Sequence, residues 1–281
     1  LLHNMAAQEF PLRFLQLPFN QKEILGEEMT LRLLLCASYR MLRAMASRFS
    51  LVQKALVPHV PSFLAHTEAH LVASDISPTE CITSVYHDNR IVCTQVGEDM
   101  VRHFVRLAAL EHAPRYLRFL GMLTLPSGRP ARRCQSLVLQ SLLEKEDALR
   151  LYNGEDGLAR RDQLIEENDH LNHPRGELAY HMELIALFAR CVEGAPTTPV
   201  MQLRTVMPLP ILMNHLLQDE LPLALKASYL AIFDNLYLDG DKSGETLQME
   251  EVRDELLMVM DAQLSAIDRF VEEIVPVASL R

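Results

Sequence analysis

The sequence contains no tryptophan, and its other aromatics, 10 Phe and 7 Tyr, amount to 6% of 281 residues. They follow core spacing, and the net charge is −10. A nucleic-acid surface needs the opposite, bases stacked on aromatics within a basic field. Glycine is scarce, with 10 residues, and apolar and polar residues rarely alternate, so strands have almost no signal. No apolar run approaches the roughly 20 residues that span a bilayer. Leu33–Ala37 and Phe119–Leu125 fall well short of that length. The 5 cysteines, Cys36, Cys81, Cys93, Cys134 and Cys191, include no CxxC spacing, and each sits within apolar helical periodicity. That pattern reads as reduced, packed thiols in the cytosol. Catalytic signatures are missing too: there is no Gly-x-Ser-x-Gly, no Walker A loop and no dinucleotide fingerprint. The expectation is therefore a protein that is not an enzyme. The chain starts at Leu1 with no leader pattern and reads as a piece of something longer.

What is present is helix-forming. Hydrophobic residues make up 49% of the chain, and Leu, Ala, Glu and Arg, all helix formers, are abundant. Residues 177–237 organise the rest. In Glu177–Val192, Leu184, Leu187, Phe188 and Cys191 form one apolar stripe, while Met182, Ile185, Ala189 and Val192 form a second. A helix with two such stripes is sandwiched between layers. Breaks at Gly194, Pro196 and Pro199, at Pro208 and Pro210, and at Pro222 separate the helices that follow. Short helices, Pro-marked turns and two-sided burial predict an all-α solenoid of stacked short helices.

Upstream, the spacing predicts one long helix over Glu27–Val57, with later helices opening near Val60, Pro78, Gly97, Pro114 and Pro130. Residues 151–176 are polar and read as a linker with one weak helix, between segments at 1–150 and 177–281. Charge supports two different halves. Residues 1–140 hold 15 Lys/Arg against 11 Asp/Glu, a net +4, and residues 141–281 hold 12 against 26, a net −14.

Several stretches resemble inositol trisphosphate receptors. They are Phe14–Phe19, Ser38–Arg43, Thr83–Arg90, Ala113–Leu120, Ala179–Cys191 and Asp219–Tyr229, in the order found in that family. Together they cover roughly residues 10–240, the homology region that inositol trisphosphate and ryanodine receptors share. The resemblance implies an armadillo-like cytosolic solenoid in a homotetrameric calcium-release channel, on the endoplasmic reticulum or another calcium store. It would relay conformational change between ligand-binding modules and the pore, touching other domains and neighbouring subunits. The alternative is a free-standing armadillo-type scaffold for protein interactions.

Arg32, Arg40 and Arg43 are the candidate anion patch, because inositol phosphates need several cations converging from helices. The family's ligand-gripping Tyr-Arg-Lys triplet falls here on Phe49, Ser50 and Leu51, so both charges are missing. The expectation is that this chain alone does not grip inositol trisphosphate; the arginines then form a solvated or interface-facing stripe. Asp239, Asp241, Ser243, Gly244 and Glu250 stand at positions 1, 3, 5, 6 and 12 of an EF-hand-like calcium loop. Thr246 at position 8 and the absence of a second loop favour an exposed turn, or at most weak calcium binding. His66 and His70, at i and i+4, could share a metal, but only His59 is near enough to add a ligand, so surface histidines are the simpler reading. No other cofactor is implied.

Overall fold

The computed structural model describes residues 7–17, 29–68, 78–167, 169–218, 221–238 and 257–258. The fold is all-α: among the described residues there is no strand, and short helices stack in armadillo-like layers. In chain order they are α1 Glu9–Leu15, α2 Met29–Ala46, α3 Ser50–Leu56, α4 Val60–Glu68, α5 Pro78–Tyr86, α6 Arg90–Cys93, α7 Glu98–Glu111 and α8 Pro114–Thr124. They continue with α9 Arg132–Leu143, α10 Gly154–Glu166, α11 Asp169–Asn172, α12 Glu177–Val192, α13 Thr197–Val206, α14 Leu209–Leu216 and α15 Leu223–Phe233. The chain divides into two compact units, residues 1–101 with 125–134, and residues 102–124 with 135–281.

In the first unit, α2 buries Leu35, Tyr39, Leu42, Met45 and Ala46, its inward stripe, and packs on α1 and α5. Each large apolar side chain so buried contributes about 1.5–3 kcal/mol. The long helix expected to Val57 is interrupted: α2 ends at Ala46, and Phe49 is extended (φ −135°, ψ 110°) before α3 begins. No Pro or Gly causes this break; tertiary bonding does. Gln53 of α3 is buried and donates to the carbonyls of Ser84 (3.0 Å) and His87 (2.9 Å) at the end of α5. Its own Oε1 accepts from Asn89 Nδ2 at 2.8 Å, and Asn89 Oδ1 accepts from the Val92 amide that opens α6, at 3.2 Å. These carbonyls have no partner within their helix, so a straight continuation of α2 would leave them unpaired.

In the second unit, α12 is the central helix. It packs against α8 on one side and α15 on another. The first expected stripe, Leu184, Leu187, Phe188 and Cys191, is buried throughout; of the second, Ile185, Ala189 and Val192 are buried while Met182, near the start of the helix, is only half-buried. Arg118 of α8 pairs with Glu183 of α12 at 2.6 Å. The Arg190 side chain lies where any Cβ on Gly121 would sit, so glycine there lets α8 and α12 meet. Gln135 of α9 is fully buried and donates to the carbonyls of Arg190 (2.8 Å) and Glu193 (2.7 Å), closing the end of α12 as Gln53 closes α5. α15 continues into a π-helical turn, Asp234–Leu238, whose Leu236 carbonyl accepts from the Arg204 guanidinium. Within the stretch expected as a polar linker, α10 is a full helix that buries Arg161 and Leu164.

Candidate functional site

Of the three arginines in the expected anion patch, the helix brings two together. Arg40 and Arg43 are one turn apart on α2 and exposed. Arg32 lies about 12 Å further along the axis, at 1.5 Å per residue, too far to share one phosphate with them. None of the three makes a hydrogen bond or ion pair with a described side chain. Phe49, Ser50 and Leu51 lie beyond them at the α2–α3 break, all exposed. The outer surface of α2 thus offers unsatisfied cations and no built cage.

Asp239, Asp241, Ser243 and Glu250, the calcium-loop candidates, lie outside the described residues, as does His70. Among the described residues, no group of three or more His, Cys, Asp or Glu is placed to hold a metal ion. His66 is engaged otherwise: its Nδ1 meets the Tyr39 hydroxyl at 2.5 Å, and burial lowers its pKa. His59 Nδ1 accepts from Gln16 Nε2 at 3.0 Å. All five cysteines are buried and none is in a disulfide. Burial pushes the Cys81 and Cys93 thiols up to about 12 and raises Cys134 and Cys191 too, so they stay protonated and unreactive at neutral pH.

The most concentrated polar chemistry lies elsewhere, in the second unit, at positions with no motif in the sequence. Arg161 of α10 is completely buried. Its Nη1 approaches His215 Nδ1 of α14 at 2.5 Å. Its Nη2 donates to Gln218 Oε1 and, at 2.8 Å, to Asp162 Oδ1. Because a guanidinium can only donate, His215 Nδ1 accepts, and the ring proton sits on Nε2. The His215 ring stacks on Tyr229 of α15, with centroids 4.6 Å apart and planes 12° apart. The Tyr229 hydroxyl meets His181 Nε2 of α12 at 3.1 Å, and His181 Nδ1 meets the Arg150 carbonyl at 2.6 Å. That carbonyl can only accept, so Nδ1 carries the His181 proton and Tyr229 donates to Nε2.

Both imidazoles are held neutral. Burial lowers His181 to about 4, with the nearby Arg161 cation adding to it while the Arg150 carbonyl bond opposes it. Burial, then Arg161 and His181, lower His215 to about 3. Burial also raises Tyr229. With neutral imidazoles, a protonated phenol and no substrate-sized opening described over them, this cluster is a fastener. It ties α10, α12, α14 and α15 to the 148–150 segment, where Tyr180 adds a bond to the Ala148 carbonyl at 2.8 Å. A sequence signal existed. Arg161 falls between Leu158 and Leu164 or Ile165 at helical spacing, and His215 falls between Leu212 and Leu216, so both occupy core positions of the pattern.

A cavity of about 650 Å³ opens beside α10, α11 and the start of α12, lined by Arg160, Asp169, His173, Arg175 and Glu177 among others. Most of its charge is internally matched. Arg160 pairs with Glu177 at 3.3 Å, and Asp169 pairs with His173 at 3.0 Å while accepting from the Leu178 amide at 3.1 Å. Asp169 thereby caps α12 from outside the helix. No described helix is long and apolar enough to cross a membrane.

Compared with known proteins, residues 5–150 match the RIH domain, the family model of ryanodine and inositol trisphosphate receptors. Over 265 residues the chain is 22% identical to the inositol 1,4,5-trisphosphate receptor itr-1 of Caenorhabditis elegans. That alignment takes in 92% of this chain and 9% of the relative, so the chain spans a small part of the protein it matches.

Proposed function

Given that this chain belongs to the RIH-domain family of ryanodine and inositol trisphosphate receptors, we propose that it is a helical-solenoid segment of an inositol trisphosphate receptor-like calcium-release channel. In this reading it works on the cytosolic face of the endoplasmic reticulum or another calcium store. It relays conformational change from ligand-binding modules to the pore and contacts other domains and neighbouring subunits of a homotetramer. The observation that carries the reading is the co-linear match of nearly the whole chain to one receptor. The relay part draws support from how the helices are fastened. Gln53 and Gln135 close helix ends, and the Arg161 cluster ties α10 to α14 and, through Tyr229, to α12, all with buried, multiply bonded side chains. Helices joined this way move as bodies, because loosening one leaves buried polar groups unpaired.

The segment has no enzymatic role in this reading and does not grip inositol trisphosphate alone. Its nearest rival, a free-standing armadillo-type scaffold, is separated from it by the length of the parent gene. A channel parent carries apolar spans of about 20 residues. The decisive experiment expresses the complete parent product in cells lacking such receptors and records store calcium on addition of inositol trisphosphate. Calcium release is expected. Gln135→Leu, which uncaps α12, is expected to diminish release while leaving ligand affinity unchanged. A parent without apolar spans, or one that releases no calcium, overturns the channel reading; release and binding falling in parallel overturn the relay.

A further inference from the structure

The outer face of α2 and the start of α3 has two properties that the channel reading does not use. The first is charge of one sign. Between residues 29 and 67 the sequence has 5 Lys/Arg (Arg32, Arg40, Arg43, Arg48 and Lys54) and no Asp or Glu. A solvated helix face ordinarily intersperses both signs. Among the described residues, none of these five side chains has a hydrogen bond or ion-pair partner. The second is an apolar seam running alongside the cations. Leu34, Ala37, Met41 and Ala44 recur at three-four-three spacing and are all exposed. Leu33 and Leu51 beside them are 61% and 59% exposed, and Phe49 is 44% exposed. The inward stripe of α2 is already filled by Leu35, Tyr39, Leu42 and Met45, so the outer seam takes no part in that core.

Three-four spacing is the pattern on which a second helix packs side by side, and alanines at two of the four positions let its backbone approach. Charge selects which helix. Arg40 and Arg43 both lie along one side of the seam, and Arg48 stands four residues beyond Ala44 at its end. A neutral or basic helix would leave these cations partly desolvated and unpaired, whereas glutamates and aspartates beside an apolar stripe would match them. An anionic bilayer fits less well. Two of the four seam positions are alanine, and the bulkier Leu33, Phe49 and Leu51 lie apart along α2 and α3, not as one inserting patch.

We propose that this face docks an acidic amphipathic helix of a partner protein, its apolar stripe on Leu34, Ala37, Met41 and Ala44 and its carboxylates against Arg40, Arg43 and Arg48. The proposal rests on this surface alone and stands whether or not the parent is a channel.

The test uses the full chain and a fluorescent, synthetic 18-residue helical peptide with leucines at three-four spacing and glutamates elsewhere, read by anisotropy. Saturable binding that weakens as salt rises is expected. Arg40→Glu with Arg43→Glu is expected to weaken it about tenfold or more, since two attractions become two repulsions. Met41→Asp is expected to weaken it about tenfold by breaking the seam. Arg129→Glu, an exposed and unpaired position off this face, is expected to leave binding unchanged. A peptide with lysines in place of the glutamates should bind the Arg40→Glu, Arg43→Glu chain in preference to the original, which guards against a loss caused by misfolding. No saturable binding, binding indifferent to these substitutions, or capture by phosphatidylserine vesicles without capture of the peptide overturns the proposal.

Discussion

Acid should loosen the second unit through two particular histidines. His181 and His215 are neutral in the fold, lowered to about 4 and about 3, while an unfolded chain leaves a histidine near its ordinary 6.5. Below pH 6.5 the unfolded state therefore binds protons that the folded state refuses, so stability is full above 6.5 and falls as the pH drops toward the folded values. At pH 5 the gap exploited at either site is about 1.5 pH units, worth about 2 kcal/mol at 1.36 kcal/mol per unit. For two imidazoles that share Arg161 and Tyr229, about 4 kcal/mol is an upper bound, because the sites are coupled. Against a typical domain stability of about 5–15 kcal/mol that is a large loss. Urea unfolding at pH 7.5 and 5.0 measures it. His181→Gln keeps a donor for the Arg150 carbonyl and removes one titration. This variant is expected to lose about 2 kcal/mol less than the parent sequence between the two pH values, whatever its stability at pH 7.5. An identical loss in both proteins would refute the assignment of His181 as a buried neutral imidazole.

Four further outcomes follow from the same reasoning. Gln53→Leu orphans the carbonyls of Ser84 and His87 and the amide of Asn89, and is expected to cost about 2–3 kcal/mol in chemical denaturation. Gly157→Ala should destabilise the protein, read as a lower melting temperature, although alanine gains about 1 kcal/mol of helix propensity over glycine; a Cβ there would stand 2.7 Å from the Tyr152 carbonyl carbon, and backbone cannot swing aside. Calorimetry should find no sub-micromolar binding of inositol trisphosphate, since losing two charged contacts removes about 1.5–3 kcal/mol each; tight binding abolished by Arg40→Ala or Arg43→Ala would contradict this. For Asp239, Asp241, Ser243 and Glu250, thermal melts in millimolar calcium are expected to move no more than a degree or two, as a millimolar site at its own dissociation constant adds about 0.4 kcal/mol; a larger shift lost in Glu250→Gln would establish a calcium site.

Much of this protein is written in its periodicity. Glu177–Val192 is a helix with the bounds its two stripes predict, and Pro78 and Pro114 begin helices because proline has no amide to leave unpaired there. The missing glycines, tryptophan and alternating runs leave helix as the local solution, and the low-identity islands point to the receptor family before any coordinates. Those are local or pairwise properties of the chain, which is why the sequence by itself determines them. Three features belong to tertiary structure. The break after Ala46 has no local breaker and arises because Gln53 must reach the carbonyls of Ser84 and His87. Residues 154–166 read from the sequence as one weak helix in a polar linker, yet that helix is anchored by Arg161, buried against His215 and Gln218 more than fifty residues on in sequence. The solvent-facing seam on α2 shows only after the inward stripe has been filled, because a sequence pattern names apolar positions without saying which face is already covered. In each case the deciding partner is distant in sequence, and its free energy exists only when the chain has brought both groups out of water together.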